Sequence, residues 1–171
     1  MLKLMGITTV EKEGLEGDDI IGIVSKKFLD TETIIVTGDR DSFQLVDKMT
    51  SVYFTRKGTS DVKIMNEKTL MEEYGVTPKQ FIDLKGLQGD SSDNIPGVAG
   101  VGEKTAIKLL KEYGCVEKVV EADISGKLGE KIKANKEVAL LSKELATINV
   151  DLPLDFDIED SDSKLDEFLK R

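Results

Sequence analysis

The sequence contains no histidine and no tryptophan, and its 171 residues include a single cysteine, Cys115. The absence of histidine excludes every mechanism that needs an imidazole base or ligand, including Ser-His-Asp triads, zincin-type sites and papain-like sites. A lone cysteine cannot form an intrachain disulfide, which is typical of a protein from a reducing cytoplasm. Any metal site in this chain is therefore expected to use oxygen ligands.

Long hydrophobic runs are also absent. The most apolar stretches, such as "TIIVTG", are far too short to cross a bilayer. The first ten residues lack the charged and apolar regions of a secretion signal. These absences predict a cytoplasmic protein with no membrane partner. Hydrophobic residues make up 39% of the chain, enough for a substantial core in one domain or slightly more.

The net charge of −9 is unevenly distributed. Residues 151–171 carry a net charge of −5, and residues 1–150 carry −4. Seven carboxylates of residues 1–150 fall into three tight groups, and without them the rest of that segment sums to +3. An acidic total is therefore compatible with a polyanionic partner if bound cations neutralise those seven groups.

The first 65 residues alternate between strand and helix patterns. Residues 6–11 predict a short strand, and residues 17–29 predict an amphipathic helix. Residues 31–38 are apolar at consecutive positions, as in a strand of a parallel sheet that is buried on both faces. Residues 51–65 predict a β-hairpin. This order indicates an α/β fold with a partly parallel sheet.

From residue 66 onward the patterns are helical. Asn66 is expected to cap one helix that Gly75 ends, and Thr77 is expected to cap the next. We predict a helical subdomain over residues 66–150 and an acidic tail or linker over residues 151–171.

Closely spaced carboxylates follow predicted strands or begin predicted helices. Each group has an ordinary alternative explanation, because aspartates also cap helices and form turns. Arg40 is the only basic residue inside any group, and converging carboxylates raise each other's pKa or need a metal. Oxygen ligands favour Mg²⁺ or Mn²⁺. The three groups are Glu16, Asp18 and Asp19; Asp39 and Asp41; and Asp90 and Asp93.

A glycine-rich turn over residues 97–102 precedes a helix that bears several lysines. Gly97 and Gly102 have the spacing of a nucleotide-binding P-loop, but Glu103 stands where that loop needs lysine. The second interpretation is a hairpin between two helices that approaches a nucleic-acid backbone, with Lys104 near the phosphate. The third is a turn that binds nothing.

Three motifs, "EGLEGDDIIG", "VTGDRDSFQLV" and "GDSSDNIPGVAGVGEKTAIKLL", resemble in order and spacing the 5′ nuclease domain of bacterial DNA polymerase I, in the flap endonuclease superfamily. The resemblance covers about residues 1–157. It implies a PIN-like, partly parallel sheet over residues 1–65, followed by a helix–hairpin–helix subdomain.

The resemblance also implies particular roles for individual residues. All seven grouped carboxylates would bind two divalent ions, with Asp18, Asp41 and Asp93 central to catalysis, and Gly17 replaces the family's usual alanine. The reaction implied is hydrolysis of DNA at a 5′ end or 5′ flap, independent of sequence. The implied DNA contacts are Gly97, Gly100, Gly102, Lys104, Thr105 and Lys108. A potassium ion would bind near Ser92, Val98 and Val101.

Compared with the family, about the first third of the domain is expected to be absent, including the first strand, its leading aspartate and the basic arch. We therefore expect an incomplete sheet with exposed edges, and little or no cleavage by this chain alone. Two alternatives to an active nuclease remain open. One is a non-catalytic module that binds duplex DNA, and the other is half of a split nuclease that needs a partner chain.

Overall fold

The computed structural model describes residues 2–5, 7–27, 30–57 and 61–154. Within these residues, short 3₁₀ helices at Leu2–Met5 and Asp41–Leu45 accompany three strands and seven α-helices. The strands are β1 (Thr33–Thr37), β2 (Thr50–Lys57) and β3 (Asp61–Met65). The helices are α1 (Gly17–Lys27), α2 (Glu67–Tyr74), α3 (Pro78–Gln88), α4 (Glu103–Tyr113), α5 (Val116–Glu121), α6 (Gly126–Ala134) and α7 (Lys136–Ala146).

The sheet has the order β1-β2-β3. β1 runs parallel to β2, and β2 runs antiparallel to β3, so the predicted hairpin and the partly parallel sheet are both confirmed. The interior face of the sheet carries Ile35, Val52 and Phe54, all almost completely buried. The helices pack on this face and continue beyond it as a helical region, which confirms the predicted fold class.

The strand predicted for residues 6–11 is wrong over its described part. Residues 7–12 have no strand pairing, and Ile7, Thr8 and Thr9 are exposed. Among the described residues, no strand lies beside this segment. β-branched residues favour an extended chain, but an extended chain becomes stable only when its backbone groups are paired.

The interpretation of β1 as a strand buried on both faces is also wrong. Ile35 is 6% exposed, whereas Ile34 and Val36 are 48% and 67% exposed. β1 is an edge strand among the described residues, and its outer face is uncovered. The expectation of an exposed edge at this strand therefore agrees with the structure.

Phe43 links the sheet to the helical region. It is fully buried, and its ring lies 5.1 Å from the Phe54 ring and 5.3 Å from the Phe81 ring, both in edge-to-face geometry. Tyr74 contacts the same cluster, with 5.7 Å between its ring centroid and that of Phe43. One apolar core therefore runs from β2 through the Asp41–Leu45 turn to α3, which fixes that turn relative to the end of α3.

The predicted helix ends are confirmed. The Asn66 side chain accepts a hydrogen bond from the Thr69 N–H at 3.0 Å, while Thr69 bonds back to the Asn66 N–H, completing a capping box. Thr77 and Gln80 form the same arrangement at α3. Gly75 ends α2 in the left-handed conformation, with φ of 67°.

α3 packs closely against α7 and is anchored there by a buried ion pair. Gly86 faces α7 so tightly that a β-carbon would lie 3.1 Å from the Ala139 carbonyl oxygen. Asp83 is 1% exposed, accepts a hydrogen bond from the Val116 N–H at 3.1 Å, and lies 2.8 Å from the Lys143 ammonium. α5 and α7 are thereby held against α3, whose last turn leads directly into the candidate site.

No helix in the described part of the chain combines the length and hydrophobicity that a membrane span requires.

Candidate metal centre and nucleic-acid interface

Carboxylates from two separate elements meet at one place. Asp41 begins the short helix after β1, whereas Asp90 and Asp93 belong to the loop after α3. Each of the three offers a carboxylate oxygen that lies within 4.8 Å of the others. They border an open cavity of about 560 Å³. The cavity is lined by Gly38, Asp39, Arg40, Asp41, Asp90, Ser92 and Asp93.

The turn after β1 is held by its own side chains. The Asp39 N–H donates to Thr37 Oγ1 at 3.0 Å, and the Asp39 carboxylate accepts from the Asp41 N–H at 2.9 Å. Parallel pairing of β1 with β2 sends this turn to the carboxyl end of the sheet, where open α/β folds bind ligands. Asp39 therefore lies at the cavity, with one carboxylate oxygen already bonded to backbone.

The loop of Asp90 is a closed and rigid unit. Asp90 and Ile95 exchange two backbone hydrogen bonds of 2.8 Å each. The Asp90 carboxylate accepts hydrogen bonds from the Ser92 hydroxyl and from the Ser92 N–H. These bonds and the neighbouring Lys85 ammonium lower the pKa of Asp90 to about 2. Asp90 is therefore fully ionised at neutral pH.

Of the group Glu16, Asp18 and Asp19, only Asp18 interacts electrostatically with the carboxylates at the cavity. Asp18, in the first turn of α1, has a pKa raised by burial and further by the charges of Asp39 and Asp41. Asp19 instead accepts a hydrogen bond from the Asn149 N–H at 2.9 Å. Glu16 is exposed just before α1. Asp18 is thus within electrostatic reach of the cluster, while Asp19 is partly engaged by the segment after α7.

Lys85 lies in the middle of the cluster and was missed by the sequence reasoning. It is 5% exposed, and its ammonium contacts Asp41, Asp90 at 2.9 Å and Asp93 at 3.6 Å. Arg40 is therefore not the only cation near the carboxylates, although it is the only one within their groups in the sequence. The only cation found by proximity in sequence, Arg40, lies over the Phe54 ring, 6.0 Å from its centroid.

Burial and charge compete in this cluster. Burial disfavours the charged form of Lys85, but hydrogen bonds and charges from Asp41 and Asp90 outweigh it and raise the Lys85 pKa. Burial also raises the pKa of Asp41, although Lys85 opposes the shift. One ammonium therefore neutralises only part of the charge of three carboxylates.

A signal for Lys85 was present in the sequence. Only Gly89 separates the end of α3 from Asp90, so a lysine in the last turn of α3 must lie near that carboxylate. Apolar residues occupy both sides of this turn, with Leu84 and Leu87 buried. A helix covered on most sides buries its charged residues as well, and a buried lysine needs an acidic partner.

The glycine-rich segment forms a hairpin between α3 and α4, as one interpretation of the sequence expected. Gly97 has φ of +60°, and a β-carbon there would lie 2.2 Å from the Gly89 nitrogen. Its N–H donates to the buried Ser142 hydroxyl at 3.0 Å. Gly97 therefore serves the close packing of the hairpin on the end of α3. Gly102, which precedes α4, faces open space instead.

Exposed lysines surround the tip of this hairpin. Lys104 and Lys108 are exposed on α4. Lys131 of α6 reaches the tip, because a β-carbon at Gly100 would lie 2.7 Å from the Lys131 ammonium. Among the described residues, none of these three lysines forms an ion pair, whereas Lys133 pairs with Asp123 at 2.9 Å. Lys131 was not predicted, since its approach to Gly100 depends on how α6 packs.

Backbone groups at the hairpin tip are arranged as follows. The Gly102 carbonyl accepts from the Thr105 N–H at 3.0 Å, and no side chain caps α4. Val98 and Val101 are buried, and the Val98 carbonyl accepts from the Val101 N–H at 3.0 Å. Ser92 bonds to Asp90 on the side of the carboxylate cluster. The first N–H groups of α4 thus point outward beside the unpaired lysines.

Two family models match the chain. The 5′–3′ exonuclease N-terminal resolvase-like domain matches residues 1–75, and the 5′–3′ exonuclease C-terminal SAM fold matches residues 76–168.

Two curated relatives that match the chain are bacterial DNA polymerase I proteins. DNA polymerase I of Bacillus subtilis (strain 168) is 49% identical over 163 residues, which cover 92% of this chain and 18% of the relative. DNA polymerase I of Bacillus caldotenax is 44% identical over 165 residues, which cover 94% of this chain and 19% of the relative. The chain spans about one fifth of the length of these relatives.

Solved structures share the fold. T5 5′-exonuclease, with divalent metal ions (zinc) bound, matches with a TM-score of 0.75 at 22% identity, over 96% of this chain and 61% of that chain. The catalytic core of Rad2 in complex with DNA substrate matches with a TM-score of 0.56 at 17% identity, over 99% of this chain and 59% of that chain.

Proposed function

The chain belongs to the 5′–3′ exonuclease family, and on that premise we propose that it acts in hydrolysis of DNA phosphodiesters, as a 5′–3′ exonuclease or 5′-flap endonuclease. The observation that carries this proposal is the convergence of Asp41, Asp90 and Asp93 within 4.8 Å of one another, next to the α3–α4 hairpin. Residues 1–65 would form the α/β part of the metal-binding core. Residues 66–150 would bind DNA and would also contribute Asp90 and Asp93 to the metal centre.

The residues at the cavity fit a hard divalent cation. Three carboxylates converge there around the Lys85 ammonium, and clustered oxygen ligands suit Mg²⁺ or Mn²⁺. Two such ions, when bound, would activate a water and stabilise the leaving oxygen. Asp18, Asp41 and Asp93 would be the ligands nearest the reaction. The complete proposed ligand set is Glu16, Asp18, Asp19, Asp39, Asp41, Asp90 and Asp93.

The hairpin would hold the DNA backbone without reading bases. The N-terminal end of α4 offers unbonded N–H groups, and Lys104, Lys108 and Lys131 supply positive charge that no carboxylate of the described residues neutralises. Such contacts to phosphate do not depend on sequence. A potassium ion near Ser92, Val98 and Val101 would belong to the same contact.

Cleavage of a 5′-flap duplex in Mg²⁺ or Mn²⁺ tests this function, with Asp93→Ala beside the native chain. Metal-dependent cleavage should fall by about 100-fold or more in Asp93→Ala, because losing a group that stabilises transition-state charge has effects of this size. Asp123→Ala is the matched control, since that carboxylate is exposed and pairs only with Lys133. Salt-sensitive duplex binding without any cleavage would favour a non-catalytic DNA-binding module.

A second candidate is one half of a split nuclease. The edge of β1 is unpaired and Ile34 and Val36 are exposed among the described residues, while the T5 exonuclease structure has about two fifths of its chain unmatched here. A partner chain that adds a strand beside β1 and helices on the outer face would complete the sheet. This candidate predicts that the isolated chain cleaves weakly or not at all, and that it differs from a non-catalytic DNA-binding module by binding duplex DNA weakly and self-associating.

A further inference from the structure

A buried lysine at the centre of three carboxylates demands an explanation. Lysine is almost never this buried without a partner, and a single carboxylate would suffice to balance it. Lys85 has three, and its ammonium contacts Asp41, Asp90 and Asp93. The group as a whole therefore retains negative charge that the lysine does not cancel.

The ammonium and a bound metal ion would share the same carboxylates. Three oxygens within 4.8 Å of one another share a point no more than about 2.8 Å from each, which is 4.8 Å divided by √3. An ammonium suits this spacing, because charge-assisted N–H···O contacts measure roughly 2.7–2.9 Å. A divalent ion needs oxygens at roughly 2.0–2.6 Å, which a small contraction of the same cluster supplies. The same three carboxylates thus suit either cation, and they cannot fully coordinate both at once.

We propose that Lys85 is an internal counter-ion that competes with the divalent cation for Asp41, Asp90 and Asp93, and thereby weakens metal binding at this part of the site. The inference rests on the metal-binding function proposed above. Lys85 is a positioning residue in this account, since it acts on the carboxylates and not on the substrate.

The competition has a functional consequence that follows from charge alone. A cation that binds these carboxylates must overcome the repulsion of Lys85 or displace its ammonium into the cavity. Phosphate oxygens of a bound DNA strand would add ligands for the cation and a new partner for the lysine. Metal binding is therefore expected to be weaker in the free protein than beside DNA.

Lys85→Met tests whether the charge of Lys85 competes with the metal ion, because methionine keeps an unbranched side chain of nearly the same length and removes the charge. Mn²⁺ binding is measured by calorimetry at one pH, without DNA, for the native chain, Lys85→Met and Lys85→Arg. We expect Lys85→Met to bind Mn²⁺ about tenfold more tightly or more, the effect that one adjacent charge has on the proton affinity of a carboxylate. Lys85→Arg, which keeps the charge, should bind no more tightly than the native chain.

If a folded Lys85→Met variant bound Mn²⁺ no more tightly than the native chain, the competition proposed for Lys85 would be refuted. The proposed metal site itself would still stand. Absence of Mn²⁺ binding in the native chain as well would overturn the proposed metal centre and the inference together. Asp93→Asn supplies the reference for a site that has lost a ligand.

A measurement on the native chain covers the case in which Lys85→Met fails to fold. The protons of a buried, hydrogen-bonded lysine ammonium exchange slowly with water, so the group gives a nitrogen-correlated NMR signal. The signal of Lys85 is assigned by its loss in Lys85→Arg. We expect Mg²⁺ at saturating concentration to shift this signal or to abolish its protection. A signal that stays unchanged while Mg²⁺ binds would refute the displacement of the ammonium.

Discussion

The buried Lys85 and the half-buried Lys143 illustrate different uses of the same side chain. Lys143 pairs with the buried Asp83 at 2.8 Å and with Glu117 at 2.7 Å, and Asp83 also receives the first N–H of α5. This pair lies between packed helices and borders no cavity among those described. Lys85 instead faces three carboxylates beside an open cavity. The first arrangement serves stability, and the second leaves charge available for a ligand.

Asp83→Ala is predicted to destabilise the fold by about 3 kcal/mol, the usual cost of removing one partner of a buried ion pair. The change leaves the Lys143 ammonium partly buried with only Glu117, and it leaves the Val116 N–H without an acceptor. Chemical denaturation followed by circular dichroism measures the loss.

Asp123→Ala is the control for this prediction, because its side chain is 98% exposed and exposed ion pairs contribute little. Its free energy of unfolding should stay within about 0.5 kcal/mol of the native value. Equal effects of the two substitutions would show that the buried pair has no special role.

For individual residues, the sequence was a better guide to the candidate metal ligands than to the buried charged residues that pair with other side chains. Asp41, Asp90 and Asp93 stand out because acidic residues cluster after a strand and after a helix. Lys85 and Asp83 do not, since their significance depends on which sides of α3 are covered. Burial of a charged residue is a property of helix packing, and no local pattern encodes it fully.

At the scale of elements, local chemistry determined the helix ends and long-range pairing determined the strands. Asn66 and Thr77 cap their helices through side-chain bonds within four residues, so short sequences suffice to predict them. The segment at residues 7–12 has strand-forming residues and no strand beside it. Propensity alone was therefore a sound guide for α2 and α3 and a poor one there.

The hairpin element gives a prediction about DNA binding. Lys104→Glu and Lys131→Glu should each weaken binding to duplex DNA of any sequence, because both lysines flank the hairpin tip without ion-pair partners in the described structure. Each change should also reduce the slope of log affinity against log salt concentration by about 0.9, the contribution of one phosphate contact. Fluorescence anisotropy at several salt concentrations measures both effects.

Lys133→Glu is the matched control, since it makes the same charge change on α6 at a lysine already paired with Asp123. If Lys133→Glu weakened DNA binding as much as Lys131→Glu, net charge would explain the loss and the hairpin assignment would fail.

At the scale of the whole molecule, one face of the sheet is finished and the other is open. The interior face packs into a core that extends through the helical region. The outer face carries four apolar side chains that are each more than one third exposed, with Tyr53 between them. They are Ile34, Val36, Val62 and Ile64. The β1–β2–β3 order could be anticipated from the alternation of elements. The open face could not, because local sequence patterns do not show which parts of a sheet face other elements cover.

An apolar sheet face beside an unpaired strand edge favours association between molecules. We therefore predict that the isolated chain self-associates as its concentration rises, and that Val36→Lys reduces this association by placing a charge on the exposed edge strand. Sedimentation velocity over a series of concentrations measures the effect. Leu141→Lys on α7 changes an equally apolar, 51% exposed position away from the sheet and should leave self-association unchanged. A native chain that stays monomeric throughout the series would contradict this account of the outer face and weaken the case for a partner chain.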